Sequence, residues 1–334
     1  MRIRGFLLLA LACMTLSVCA QNVGIHSHVG MCDASATVAL SADRFVVAND
    51  EDNVLRVYKR GTSGAPVFQL DVSRFLEVDQ NKPESDLEGA TRVGSRIYWI
   101  TSHGRNKEGK FRESRNRFFA VRILDAGGEV LLEPEGRPYK LLLLDLWKHE
   151  PLQSFDLPSA SQRAPKEVGA LNIEGLCAGP EGSLWIAFRN PQPQGKALMV
   201  PILNPEEVIQ GGRCTLGTPL LIDLRGYGFR DIIMEKDHYW LIAGSHDGKG
   251  SSRLMHWRGP GHDAVTMNTL FIAGFNPEAI VRFPDRDNRL LLLSDDGNLD
   301  VNGESCKDVE DSSLRRFRSQ WIEIGAGYVR PVAD

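Results

Sequence analysis

DLEGATRVGSRIYWITSHGR (Asp86–Arg105) and NIEGLCAGPEGSLWIAFRNP (Asn172–Pro191) follow one plan. Each begins with a carboxylate and a glycine, runs through an apolar stretch to a polar turn, and returns along a second apolar stretch to a basic residue. A turn-separated apolar pair of this kind reads as a β-hairpin. Three further stretches share the plan: Ser35–Glu51, Asp231–Asp247 and Glu278–Asp296. Their starts, at Ser35, Glu88, Glu174, Asp231 and Glu278, lie 53, 86, 57 and 47 residues apart. After each hairpin come two more strand-like runs, such as VLRVYKR from Val54 and VFQLDV from Val67, or RFFAVRIL from Arg117 and YKLLLLDL from Tyr139.

Four strands per unit, repeated at blade-like intervals, predict an all-β chain folded as a β-propeller with five recognisable four-stranded repeats. A sixth, degenerate blade built from the termini or from the long interval stays open, so the expectation is five or six blades. The long interval holds Leu146–Gly169, read as a short helical insertion on a blade rim. A two-sheet sandwich is the alternative fold, but it does not explain the recurring fifteen-residue spacing.

The 334 residues are 42% hydrophobic, enough for a substantial core, and carry a formal net charge of −4, which disfavours nucleic-acid or anionic-membrane partners. Arg2 and Arg4 precede an apolar run and then Val18-Cys19-Ala20, the pattern of a cleaved signal peptide over residues 1–20. Residues 21–334 then form a single propeller domain, periplasmic or secreted, with a lipoprotein anchored through Cys19 as the alternative. No later apolar run is long enough to cross a bilayer. The mature chain keeps Cys32, Cys177, Cys214 and Cys306, which allow up to two disulfides in an oxidising compartment. Cys32 and Cys306 lie near opposite ends, and a fold that closes on itself would join them.

In a propeller, the start of an inner strand and the end of the next strand meet at one channel mouth. This pairs Glu88 with His103, Glu174 with Arg189 and Asp231 with His246, and puts Glu278 near Asp295 and Asp296; Ser35 takes the acidic place in the first repeat. Carboxylates gathered without cysteine suit calcium, which prefers roughly six to eight oxygen ligands. Glu88, Glu174, Asp231 and Glu278 are the expected metal ligands, and His103 and His246 the candidate general bases. The basic loop Ser102–Arg117 adds Arg105, Arg112 and Arg115, which with Arg189 form an expected anion clamp. The opposing reading makes each acid a structural acceptor between blades. His26 and His28 read as tail residues.

The blocks Glu84–Phe119, Asn172–Pro205 and Leu220–Ile232 resemble the bacterial domain of unknown function 3616 family. That resemblance implies an exported propeller and no particular reaction. The acid–glycine strand starts are more weakly similar to phytase-like propellers and to the calcium-dependent gluconolactonase and paraoxonase propellers; the phytase-like resemblance implies calcium and phosphate as expectations, with no catalytic residues carried over. The functional expectation is a calcium-dependent hydrolase of phosphoesters or lactones acting on a small anionic substrate. The alternative is a monomeric, non-catalytic propeller whose mouth binds a protein, glycan or anionic ligand.

Overall fold

A computed structural model describes residues 24–126, 129–267, 274–325 and 328–332; the expected signal peptide, with Cys13 and Cys19, lies outside them. Five antiparallel sheets stand around one axis. Blade one is Ala36–Ala39, Arg44–Ala48, Val54–Lys59 and Phe68–Asp71. Blade two is Leu87–Val93, Arg96–Thr101, Phe118–Ala126 and Glu129–Tyr139. Blade three is Asn172–Ala178, Leu184–Asn190, Ala197–Ile202 and Leu220–Ile222, and blade four is Gly228–Glu235, His238–Gly244, Arg253–Trp257 and Val265–Thr266.

Blade five has Pro277–Val281, Arg289–Ser294 and Arg316–Gly325, and its outer edge comes from both ends of the chain. Tyr328–Val332 pairs with one half of Arg316–Gly325, and Ile25–Val29 with the other. The termini therefore complete the fifth blade, and among the described residues only the two-residue strands Asp300–Val301 and Glu304–Ser305, paired with each other, lie outside the five blades, too little for a sixth. The inner strands of all five blades pack on one another in a closed circle, including the fifth against the first. The Cys32–Cys306 disulfide fastens this closure. Cys177 and Cys214 are unpaired thiols, Cys177 fully buried.

Blade two departs from its expected strand assignment. YKLLLLDL is not its fourth strand; that strand is Glu129–Tyr139, and Leu142–Lys148 is a helix. Leucine is a strong helix former, and Leu142, Leu143 and Leu146 fall on one helical face that enters the core shared by blades two and three. Short helical turns at Glu150–Phe155 and Leu157–Ala160 complete the expected insertion.

His28 is no tail residue. It is 1% exposed, stacked on Phe317 and edge-on to Phe45 and Tyr58, with Nε2 2.8 Å from Ser319 Oγ. Burial holds its pKa down at about 3, with nearby His26 adding to the effect, so the ring packs neutral.

Candidate functional site at the channel mouth

The mouth is built by one repeated irregularity. In blade two Leu87 pairs with Thr101 and Gly89 with Ile100, so Glu88 is an extra residue on the inner strand. The same skip falls at Glu174, Arg230 and Glu278 in blades three, four and five. A bulge of this kind re-aims one side chain and bends its strand. Glycine follows in blade two because the inner strands nearly touch there: a Cβ on Gly89 would lie 2.9 Å from the backbone of Gly175 and Leu176. Ser35 holds the corresponding place in blade one, where its amide bonds Ala48 O. A second tier comes from the ends of the next strands: Asp50, Ser102, Arg189, Gly244 and Asp295, each two residues past the partner of the residue after the bulge position.

The expected pairing of Glu174 with Arg189 is present, Arg189 Nη1 donating to Glu174 Oε1 at 2.5 Å. Two other pairings shift by one residue or more. The tier partner of Glu88 is Ser102, not His103. In blade four the bulge residue is Arg230, not Asp231, and its partner is Gly244, not His246. Gly244 makes room for the arginine: a Cβ there would sit 3.0 Å from Arg230 Cγ. Asp231 instead accepts 2.7 Å bonds from the amides of Ile232 and, across the blade boundary, Ile280. Its carboxylate thus belongs to the seam between blades four and five, outside the group formed by Asp33, Glu278 and Asp295, and burial raises its pKa to about 7.

Arg230, absent from the expected set, spans the mouth. Its Nε lies 3.4 Å from Glu174 Oε2, its Nη2 bonds Glu278, and Asp295 is 4.0 Å away. A sequence signal for it existed: LEGA, IEGL, FRDI and PEAI align without gaps and put Arg230 opposite Glu88.

Opposite these guanidinium groups the mouth is acidic. Asp33, Glu278 and Asp295 each present an oxygen within 4.8 Å of the others, the one such group among the described residues. Asp33 and Glu278 share a side-chain hydrogen bond, while Asp33 Oδ1, Glu278 Oε2 and Asp50 Oδ1 are buried with no partner. Burial first, then the neighbouring carboxylates, raises the pKa of Asp33, Asp50 and Glu88 well above the usual range. Glu278 rises to about 7, its burial offset in part by Arg230. Glu88 is 9% exposed and has no hydrogen-bond or ionic partner among the described residues. Asp33 escaped the set of sequence-derived ligands because no repeat motif marks it, whereas Asp50, at the repeated second-tier position, is expected at the rim but outside that set.

The rest of the expected site is dispersed. His103 adopts a left-handed backbone (φ 53°) and is 2% exposed, with Nδ1 2.8 Å from Thr101 O. Burial lowers its pKa to about 4. His246 lines a separate cleft of about 410 Å³ with Asn190, Pro191 and Phe155. Arg105 is occupied by Ser161 O, Gly109 O and Gln162. Arg115 bonds Asp86 at 2.7 Å and also Glu84. The half-buried Arg112 reaches only Phe111 O among the described residues, at 3.4 Å. The loop arginines are therefore braces of the rim and do not converge as a clamp.

No protein-family model matches this chain, and no curated protein matches it in sequence. Among solved structures it is similar to a putative oxidoreductase (glucose dehydrogenase) from Thermus thermophilus. Identity is 15% and the TM-score 0.40, over 89% of this chain and 100% of that one. It is also similar to a PQQ-bound aldose sugar dehydrogenase from Streptomyces coelicolor (12%, 0.40, 90% and 99%). A third is a GH43 β-xylosidase/α-arabinofuranosidase from a compost microbial metagenome (11%, 0.47, 91% and 95%). Similarity at this level concerns the fold alone. No helix among the described residues is long and apolar enough to cross a membrane. The disulfide suits an oxidising, extracellular type of compartment.

Proposed function

We propose that the channel mouth binds calcium and that the protein is an exported, calcium-dependent hydrolase of a small phosphoester or lactone. The observation that carries this is the trio Asp33, Glu278 and Asp295, three oxygens within 4.8 Å of one another, with unpartnered oxygens left on the first two. An all-oxygen donor set with irregular geometry fits a hard cation. Bound there, calcium supplies Lewis-acid polarisation of a phosphoryl or carbonyl oxygen and activation of a water. The chain's own contribution is the opposite wall. Arg189 and Arg230 are fixed by Glu174 and Glu278, so positive charge is preorganised beside the trio where negative charge develops. Membership in the domain of unknown function 3616 family belongs to the same reading, since its three resembling blocks supply Glu88, Glu174 and Arg230. A second reading keeps the cation and omits the chemistry: Arg115, Arg189 and Arg230 already hold carboxylates of this chain, as in a mouth that binds a protein or glycan.

The test is the metal content of the purified protein, with thermal melts in chelator and in added calcium, followed by assays on p-nitrophenyl phosphates and simple lactones. A hundredfold excess of calcium over its dissociation constant stabilises the native state by about 2.7 kcal/mol. Stoichiometric calcium, a chelator-sensitive melt and calcium-dependent turnover are the expected results. Calcium without turnover leaves the binding reading; no calcium and no shift overturn both.

A further inference from the structure

The bulge tier reads Ser35, Glu88, Glu174, Arg230, Glu278 around the axis. Arg230 stands between two glutamates, one from each neighbouring blade, and its guanidinium is held by both. Ser35 stands in the same relation to Glu278 of blade five and Glu88 of blade two, but it has no long side chain to place between them. Buried polar atoms without a hydrogen bond lie on both sides of the mouth, but on the arginine side Glu174 Oε2, Arg189 Nη2 and Arg230 Nε belong to groups already in ion pairs, whereas beside Ser35 no cation of the chain is in place among the described residues. Ser35 Oγ, Asp50 Oδ1 and Glu278 Oε2 are buried without partners, and Glu88, nine-tenths buried, has none. The carboxylates of Glu174, Asp86, Asp50 and Glu278 act on it most strongly, and Arg115 acts on it from the rim without a direct salt bridge.

We infer that the slot beside Ser35 receives an organic cation, the primary ammonium or guanidinium head of a small ligand, held by Glu88 and Asp50 as Arg230 is held by Glu174 and Glu278. A second bare metal fits less well. Among the described residues only Asp33, Glu278 and Asp295 bring oxygens within single-ion spacing, and Glu88 and Asp50 stand outside that group. Wider spacing suits a head with several N–H donors, which can reach carboxylates on different sides at once. Arg230 is the chain's own precedent for that geometry. The inference rests on the calcium reading and deepens it, naming a positively charged group on the ligand beside its hydrolysable or bound portion.

The experiment is calorimetric titration of the calcium-loaded full chain with butylguanidinium, with butanol as the neutral control. Binding of butylguanidinium and none of butanol is expected, at least tenfold weaker in Glu88→Gln. In Ser35→Arg binding is lost, because the new guanidinium fills the slot. If that variant does not fold, Glu88→Gln decides alone. Equal affinity in Glu88→Gln, or no binding by a protein whose melt responds to calcium, overturns the slot. Butylguanidinium binding by a protein that takes up no calcium sinks the metal reading and leaves the slot standing.

Discussion

The two halves of the channel mouth treat charge differently. In blades three and four, Glu174, Arg189 and Arg230 neutralise one another within the chain. From blade five through blade two, Asp33, Asp50, Glu88 and Asp295 have no arginine in direct salt-bridge contact closer than the 4.0 Å from Arg230 to Asp295. Buried ion pairs are costly to break, whereas crowded buried carboxylates are costly to keep. The first half is therefore neutralised within the chain, and the second carries the buried negative charge to which the proposed cation is assigned.

Removing the guanidinium that joins the halves should have the largest effect. Arg230→Ala leaves Glu278 buried without its guanidinium, while Glu174 keeps Arg189, and should lower stability by about 3–5 kcal/mol in chemical denaturation. A loss below about 1 kcal/mol would show that the first half is not held by its charges. The disulfide comes next. Cys32 immediately precedes Asp33, and the loop ending at Cys306 follows Asp295, so one bond ties together two segments that carry the acidic trio. Cys32→Ser with Cys306→Ser should cost about 2–5 kcal/mol and weaken calcium binding in the folded fraction. Unchanged calcium affinity would show that the trio assembles without the tether.

Asp33→Asn separates the halves more finely. It should abolish the calcium-dependent stabilisation of about 2.7 kcal/mol while leaving the chelated protein at least as stable as the wild type, because a repulsive carboxylate has gone. A chelated variant that melts much lower would make the trio structural.

Acid provides a control outside both halves. His28 has its pKa lowered to about 3 in the folded state, so below its ordinary value near 6.5 the unfolded chain takes up the proton first. Stability contributed by the neutral ring is complete above about pH 6.5 and is lost as pH falls towards 3. Between pH 6.5 and 5 the loss should be about 2 kcal/mol, and His28→Gln should remove that dependence; identical pH profiles would refute it. Arg112→Ala is the smallest change. As a rim residue whose side chain makes one long contact, it should alter stability and calcium response by less than about 0.5 kcal/mol, and a marked loss of calcium-dependent turnover would restore the anion clamp.

The fold was legible because hairpins announce themselves through alternating apolar runs and turns, and five copies constrain one another. The positions that meet at the mouth were legible to within one or two residues of the repeat. A bulge leaves no mark in composition, so Asp231 was assigned the repeat position that Arg230 holds. Asp33 was hidden for a different reason. It precedes the first repeat and reaches the mouth only through ring closure, a long-range consequence that no local pattern carries. His28 was misread on the same ground, since its burial depends on Phe317 almost three hundred residues away. Leu142–Lys148 shows the opposite error, where a local apolar run suited strand or helix and packing decided.

The outer edge of blade five has a topological consequence. Val332 lies opposite Trp321 and Ile25 opposite the next residue, Gln320, and both segments run in the same direction. Together they are one strand with a nick. Linking Val332 to Ile25 and opening the chain at an exposed turn elsewhere, for instance Gly94 between the first two strands of blade two, would give a circular permutant with the same five blades and an uninterrupted closing strand. For this architecture, the positions of the ends are a matter of the order of synthesis and not of shape.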